Sequence, residues 1–135
     1  MSDRVMLDSN IWIYAFMKGE DKRINIANTL IEKTESIILT TQVINEVCNV
    51  LLRKNKVSNT NISAYIDYFY DEYTVAILDE KTIKFAANLR ISHNFSFWDS
   101  LIVSSAIENE CTILYSEDMQ HNLTVQNTCI INPFC

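Results

Sequence analysis

Along the chain, short apolar runs alternate with longer stretches whose apolar residues recur at helical spacing. Residues 4–8, RVMLD, form an apolar run that ends on an acid. SNIWIYAF then continues at helical spacing, with Ser9 or Asn10 suited to the N-cap. A second helix is predicted over residues 24–35. SIILTT is short and rich in β-branched residues, the pattern of a buried strand. Thr40 and Thr41 offer a cap for QVINEVCNVLLRK, where Val43, Ile44, Val47, Val50 and Leu51 make one helical stripe. The same reading predicts a helix over 59–73, a strand in TVAILD, a helix over 80–91 and another opened by Ser96 in FWDSLIVSSAIENE. TILYS reads as a strand, and VQNTCIINPF supplies a last one.

Strands that alternate with helices predict an α/β domain with a central, mainly parallel five-stranded sheet and right-handed crossovers. Only Gly19 and Pro133 represent their residue types, so no Pro/Gly-rich linker divides the chain, and one domain is expected over residues 1–135. With 48% apolar and 21% charged residues the composition is that of a globular protein. No apolar run approaches a membrane span and MSDR does not read as a signal peptide, so a cytoplasmic location is expected. Cys48, Cys111, Cys129 and Cys135 show neither a CxxC pair nor a Cys/His ligand spacing, and read as reduced thiols.

The topology carries the chemical expectation. In such a sheet a residue just after a strand, or early in the following helix, lies at the carboxyl edge, where open α/β folds place ligands. Asp8 ends the first strand, Glu46 sits early in the helix after IILTT, Asp99 opens the helix before TILYS, and Asp118 follows that strand. Helical spacing puts Asp99 on the face of Ile102, Val103 and Ala106, while Glu46 borders its stripe beside Asn49 and Arg53. Carboxylates gathered in this way repel, and some should stay protonated unless cations bind. Hard oxygen ligands in that number suit Mg²⁺ or Mn²⁺, which also bind phosphate oxygens and assist phosphodiester displacement.

Each acid has an ordinary reading as well. Ser96 and Asp99 fit a capping box, Glu46 a helix-border acid, Asp118 a turn residue and Asp8 a helix cap; only their common edge argues for chemistry. His93 and His121 have no recognisable Ser or Cys partner, and one glycine cannot build a P-loop or a dinucleotide loop. Asp8-Ser9-Asn10 lacks the second acid of the D-x-D phosphatases. The net charge of −6 argues against coating nucleic acid by bulk electrostatics. An acidic nuclease then needs local cations, for which Arg53, Lys54 and Lys56, or Lys22 and Arg23, are the candidates.

LDSNIWIY, INEV and SFWDSLIVSSAIENECTILYSEDM, in this order and strand context, resemble the PIN-domain nucleases, above all the toxins of VapBC-type toxin–antitoxin pairs and their stand-alone bacterial relatives. The resemblance runs over essentially the whole chain. It places the D-x-[NTS] motif on Asp8 and Asn10, the second acid on Glu46, the third on Asp99, and the [TS]-x-D motif on Ser116 and Asp118. It implies a Mg²⁺- or Mn²⁺-dependent endoribonuclease on a five-stranded parallel sheet, usually a homodimer, whose site an antitoxin chain occupies or blocks. The chain departs from the family in two places: Ile102-Val103-Ser104-Ser105-Ala106 replaces a run of small residues, and Asn109-Glu110-Cys111 stands where a glycine is usual. The rival reading is a PIN-like module that binds RNA or protein without cutting. Among the aromatics, Trp98, Phe97 or Phe95 could stack an unpaired base, whereas Trp12 and Phe16 read as core or helix-contact residues.

Overall fold

The structure, a computed structural model, describes residues 3–135; the first half of the MSDR segment lies outside the described residues. Strand β1 (Arg4–Leu7) is followed by helices α1 (Ser9–Phe16) and α2 (Lys22–Lys33), and β2 (Ser36–Thr40) by α3 (Thr41–Arg53) and α4 (Asn59–Glu72). β3 (Thr74–Ala76) leads into α5 (Glu80–Ser92) and α6 (Phe97–Glu108), and β4 (Ile113–Tyr115), β5 (Leu123–Val125) and β6 (Thr128–Ile131) complete the order. The strands form one sheet in the order β3-β2-β1-β4-β6-β5. All neighbours are parallel except β5 and β6.

The sheet therefore has six strands rather than the five expected. The tail read as one strand is a hairpin, in which Val125 pairs with Thr128 across Gln126 and Asn127. Its turn carries no glycine; Gln126 itself takes the left-handed conformation, with φ 52°, and so leaves no sequence signal. The parallel α/β core is as expected.

All six helices start at a side chain that accepts a backbone N–H: Asp8, Asp21, Thr40, Ser58, Asp79 and Ser96. Such caps satisfy donors that the helix leaves free. For α1 the cap is Asp8, not Ser9 or Asn10, because the helix begins directly at the strand end. α6 also differs from the expected one-sided helix, since every residue from Ser100 to Ala106 is buried. It lies against α5, where Ser104 Oγ donates to the buried Thr82 carbonyl at 2.7 Å. Small side chains at 104–106 allow that approach.

Trp12 is fully buried, with its ring 5.1 Å from Phe69 and 5.2 Å from Tyr73, and Phe16 packs on Tyr65 at 4.6 Å. Both belong to the aromatic core between α1 and α4. Successive crossovers from β1 to β2 to β3 run one way across the sheet, and the next jumps back past β1 to β4. With right-handed crossovers, that reversal puts α5 and α6 on the opposite face from α1–α4. The carboxyl ends of β1 and β4 flank that reversal, the position at which open α/β sheets bind ligands.

Candidate active site

The reversal point fixes where the acids can meet. Asp8 extends the β1–β4 ladder, its N–H donating to the Tyr115 carbonyl at 2.9 Å. Its carboxylate then accepts from the Ser9 N–H at 2.7 Å and from the Ser116 hydroxyl at 2.8 Å. Ser116 is fully buried and its own N–H donates to Ile131, so the first residue after β4 is held from two sides. Asp118, exposed on the bend beyond, accepts from Asn10 Nδ2 at 3.1 Å. Asp99 lies in the first turn of α6, part-buried, with its N–H on Ser96 Oγ at 3.1 Å. Glu46 projects from α3 at the exposed rim and accepts from Gln42 at 3.2 Å, with the Ser9 hydroxyl also facing it.

Electrostatics ties these acids into one group. Burial pushes Asp8 above the ordinary carboxylate range against the pull of its two donors, and the charges of Asp99 and Asp118 push the same way. Glu46 is raised by desolvation, then by Asp8 and Asp99. Asp99 is raised by desolvation, then by Asp118. No ion pair among the described residues involves any of the four acids. A group of mutually repelling carboxylates without a basic partner is chemically suited to a hard divalent cation. Asn10 Oδ1, buried beside them without a hydrogen-bond partner, adds a further oxygen with an unmet interaction. As they stand, no three acidic, cysteine or histidine side chains among the described residues are close enough to share one ion.

The sequence matches the PIN domain family over residues 5–124, a span that includes all four acids. The chain belongs to the PIN domain family. Solved structures share this PIN fold at low identity. A toxin–antitoxin complex from Klebsiella pneumoniae aligns with TM-score 0.73 and 13% identity, over 96% of this chain and 97% of that one. VapC20 of Mycobacterium tuberculosis, described as a sarcin–ricin loop cleaving toxin, aligns with TM-score 0.68 and 14% identity, over 82% and 86%. VapBC2 from Rickettsia felis, bound to a DNA fragment from its promoter, aligns with TM-score 0.64 and 20% identity, over 93% and 96%. Likeness at these identities is a likeness of fold. A comparison with curated proteins returned no match.

Around the acids of this PIN domain, two features were not evident from sequence. One is Glu117, whose carboxylate accepts from Tyr14 Oη at 2.8 Å and from Arg23 Nη1 at 3.1 Å. Arg23 also grips both oxygens of Asp21 and lies 4.5 Å from the Tyr14 ring centroid. It was a candidate substrate cation; the structure instead engages it with acids. The only sequence signal for Glu117 is its place beside Asp118.

The other is an open groove of about 610 Å³ between the amino ends of α3 and α6. Glu46 lines it with Gln42, Asn45, Asn49, Phe97 and Trp98, so it begins at the acidic site. Trp98 is 67% exposed and Phe97 41%. Phe95 is buried, with His93 stacked on it at 5.5 Å, and offers no free face. A larger groove, lined by Asp79, Lys84, Phe85 and Glu108 among others, contains none of the four acids.

Proposed function

We propose that this PIN domain is a divalent-metal-dependent endoribonuclease, working as the toxin of a toxin–antitoxin pair. The observation that carries the proposal is the convergence of Asp8, Glu46, Asp99 and Asp118, without a basic partner, on the point where the sheet reverses direction. Mg²⁺ or Mn²⁺ held there would supply an activated water and neutralise charge on the scissile phosphate. Asp8 is the fixed ligand in this reading, locked by Ser9 and Ser116. Asp99 is set by the capped end of α6, and Asn10 orients Asp118 from α1. Glu46, at the mouth of the groove, is the acid nearest an incoming strand. The neutral amides and exposed aromatics beyond it suit an unpaired base, flat and apolar on its faces and polar on its edges.

The same exposed aromatics, with Ile83 beside them, give an antitoxin segment or a second copy of the chain a surface to cover. We infer a homodimer blocked by its antitoxin at this mouth. An adjacent reading frame encoding a basic, DNA-binding-like protein would fit, and co-purification with it tests the pairing. The second reading, a PIN module that binds RNA without cutting, is favoured by the spacing of the acids, none of whose trios could share an ion as placed.

RNA cleavage with Mn²⁺ or Mg²⁺ separates the two. Wild type should cut, EDTA should abolish cutting, and folded Asp8→Asn and Asp99→Asn should lose at least about 10³-fold in rate, in keeping with loss of an interaction worth several kcal/mol in the transition state. RNA binding with neither cleavage nor metal binding would replace the nuclease with the binding module.

A further inference from the structure

Asp118 sits on an irregular bend and is exposed, so nothing in its own backbone holds it toward the other acids. The neighbouring residue does. Glu117 is held at its side chain, with one carboxylate oxygen on Tyr14 Oη at 2.8 Å and the other on Arg23 Nη1 at 3.1 Å. Its backbone carbonyl accepts from Asn132 Nδ2 at 3.1 Å, and the Asn132 N–H donates to His121 Nδ1 at 3.0 Å. Met119, on the far side of Asp118, is buried. The bend is thus anchored before and after the acid.

The helix contacts are in register. Asn10 and Tyr14 are one turn apart on α1, and so share a face. They hold the consecutive residues Asp118 and Glu117 respectively. Two adjacent turns of one helix therefore grip two adjacent residues of the bend, which fixes its distance and its rotation about α1. Arg23 has a second effect. With Tyr14 on one oxygen and Arg23 on the other, the Glu117 carboxylate is already taken up, so a fifth carboxylate is not free to join the acidic group.

We propose that Glu117 is a positioning residue: clamped by Tyr14 and Arg23, it sets Asp118 for metal binding while being withheld from the metal itself. The metal arm rests on the nuclease reading above; the clamp on Asp118 does not.

The test uses the full chain with Glu117→Ala, Glu117→Gln and Tyr14→Phe. Mn²⁺ affinity is measured by calorimetry, and the Asn10 side-chain amide is followed by NMR in metal-free protein. Residues that orient metal ligands typically contribute 10–100-fold in affinity. Glu117→Ala should therefore lose about 10-fold or more in Mn²⁺ affinity and in kcat, with KM within about 2-fold. Its Asn10 amide signal should lose the hydrogen-bonded shift. Glu117→Gln keeps acceptor capacity for Tyr14 and should recover most of the loss, while Tyr14→Phe should lose several-fold. A purely structural role would lower the melting temperature and leave Mn²⁺ affinity and the Asn10 signal unchanged, which overturns the proposal. If wild type binds no Mn²⁺, the nuclease reading falls and the Asn10 signal alone decides the clamp. If Glu117→Ala does not fold, Tyr14→Phe carries the same comparison.

Discussion

Asp8 joins two structures: it ends β1 as the cap of α1 and lies among the acids at the sheet's reversal point. A group whose pKa is raised on folding contributes stability that is complete below its unfolded value, ordinarily 3.8 for Asp, and lost as pH rises through the folded value. The metal-free protein is therefore weakened at neutral pH by the charge it holds there. Asp8→Asn keeps a cap acceptor but removes that charge. Its melting temperature at pH 7 should exceed that of metal-free wild type, with the advantage shrinking toward pH 4. Mn²⁺ should stabilise wild type and not the variant; scanning calorimetry with and without Mn²⁺ reads both, and a variant less stable at pH 7 would contradict the sign. The two tryptophans divide as sharply, one fully buried and one 67% exposed. Stacking on Trp98 predicts that Trp98→Ala weakens RNA binding by about 1–3 kcal/mol, or roughly 5- to 150-fold, at unchanged Mn²⁺ affinity. Unaltered RNA affinity in a gel-shift titration would remove Trp98 from the site.

At the scale of elements, the end of α6 explains one of the chain's departures from its family. Cys111 N–H reaches back to Ala106 and Glu110 N–H to Ile107, closing the helix with Glu110 left-handed at φ 59°. That position favours glycine, which has no Cβ to clash. Glu110→Gly should therefore raise stability by about 0.5–1 kcal/mol, visible as a higher urea midpoint at unchanged slope. The Arg4–Glu110 pair lost with it is an exposed contact at 3.7 Å and offsets little. Elements with strong periodicity or a cap were legible in sequence: α3 from its stripe, and α6 from Ser96. The β5–β6 hairpin was not, because strands of three and four residues joined by Gln126-Asn127 have neither length nor a glycine turn to announce them.

For the whole molecule, the −6 charge governs how RNA would be held under the proposed nuclease reading. Arg4, Arg23, Lys81 and Lys84 are already engaged with acids. Of the candidate substrate cations, Lys22, Arg53, Lys54 and Lys56 form no ion pair among the described residues, and each phosphate contact contributes about −0.7 to the salt dependence for single-stranded RNA. With those four as the contacts, the slope of log K against log salt should be no steeper than about −3 in Mg²⁺-free titrations. Cleavage should accordingly favour particular exposed sites over bulk RNA. Rapid, non-selective cutting of homopolymer RNA at physiological salt would overturn that view. The described residues include no helix long and apolar enough to cross a membrane.

The sequence by itself determined the alternation of strands and helices, and through it the sheet edge to which Asp8, Glu46, Asp99 and Asp118 all map. Local physics suffices for that, since periodicity and caps act over a few residues. Tertiary structure decided what each side chain does at that edge. It turned Ser116 onto Asp8 and Asn10 onto Asp118, and drew Arg23 onto Glu117. Those outcomes depend on contacts between residues 94 to 108 positions apart, which no local pattern encodes. Glu117 shows the limit most clearly: beside Asp118 in sequence, it is bound at both carboxylate oxygens by partners on α1 and α2.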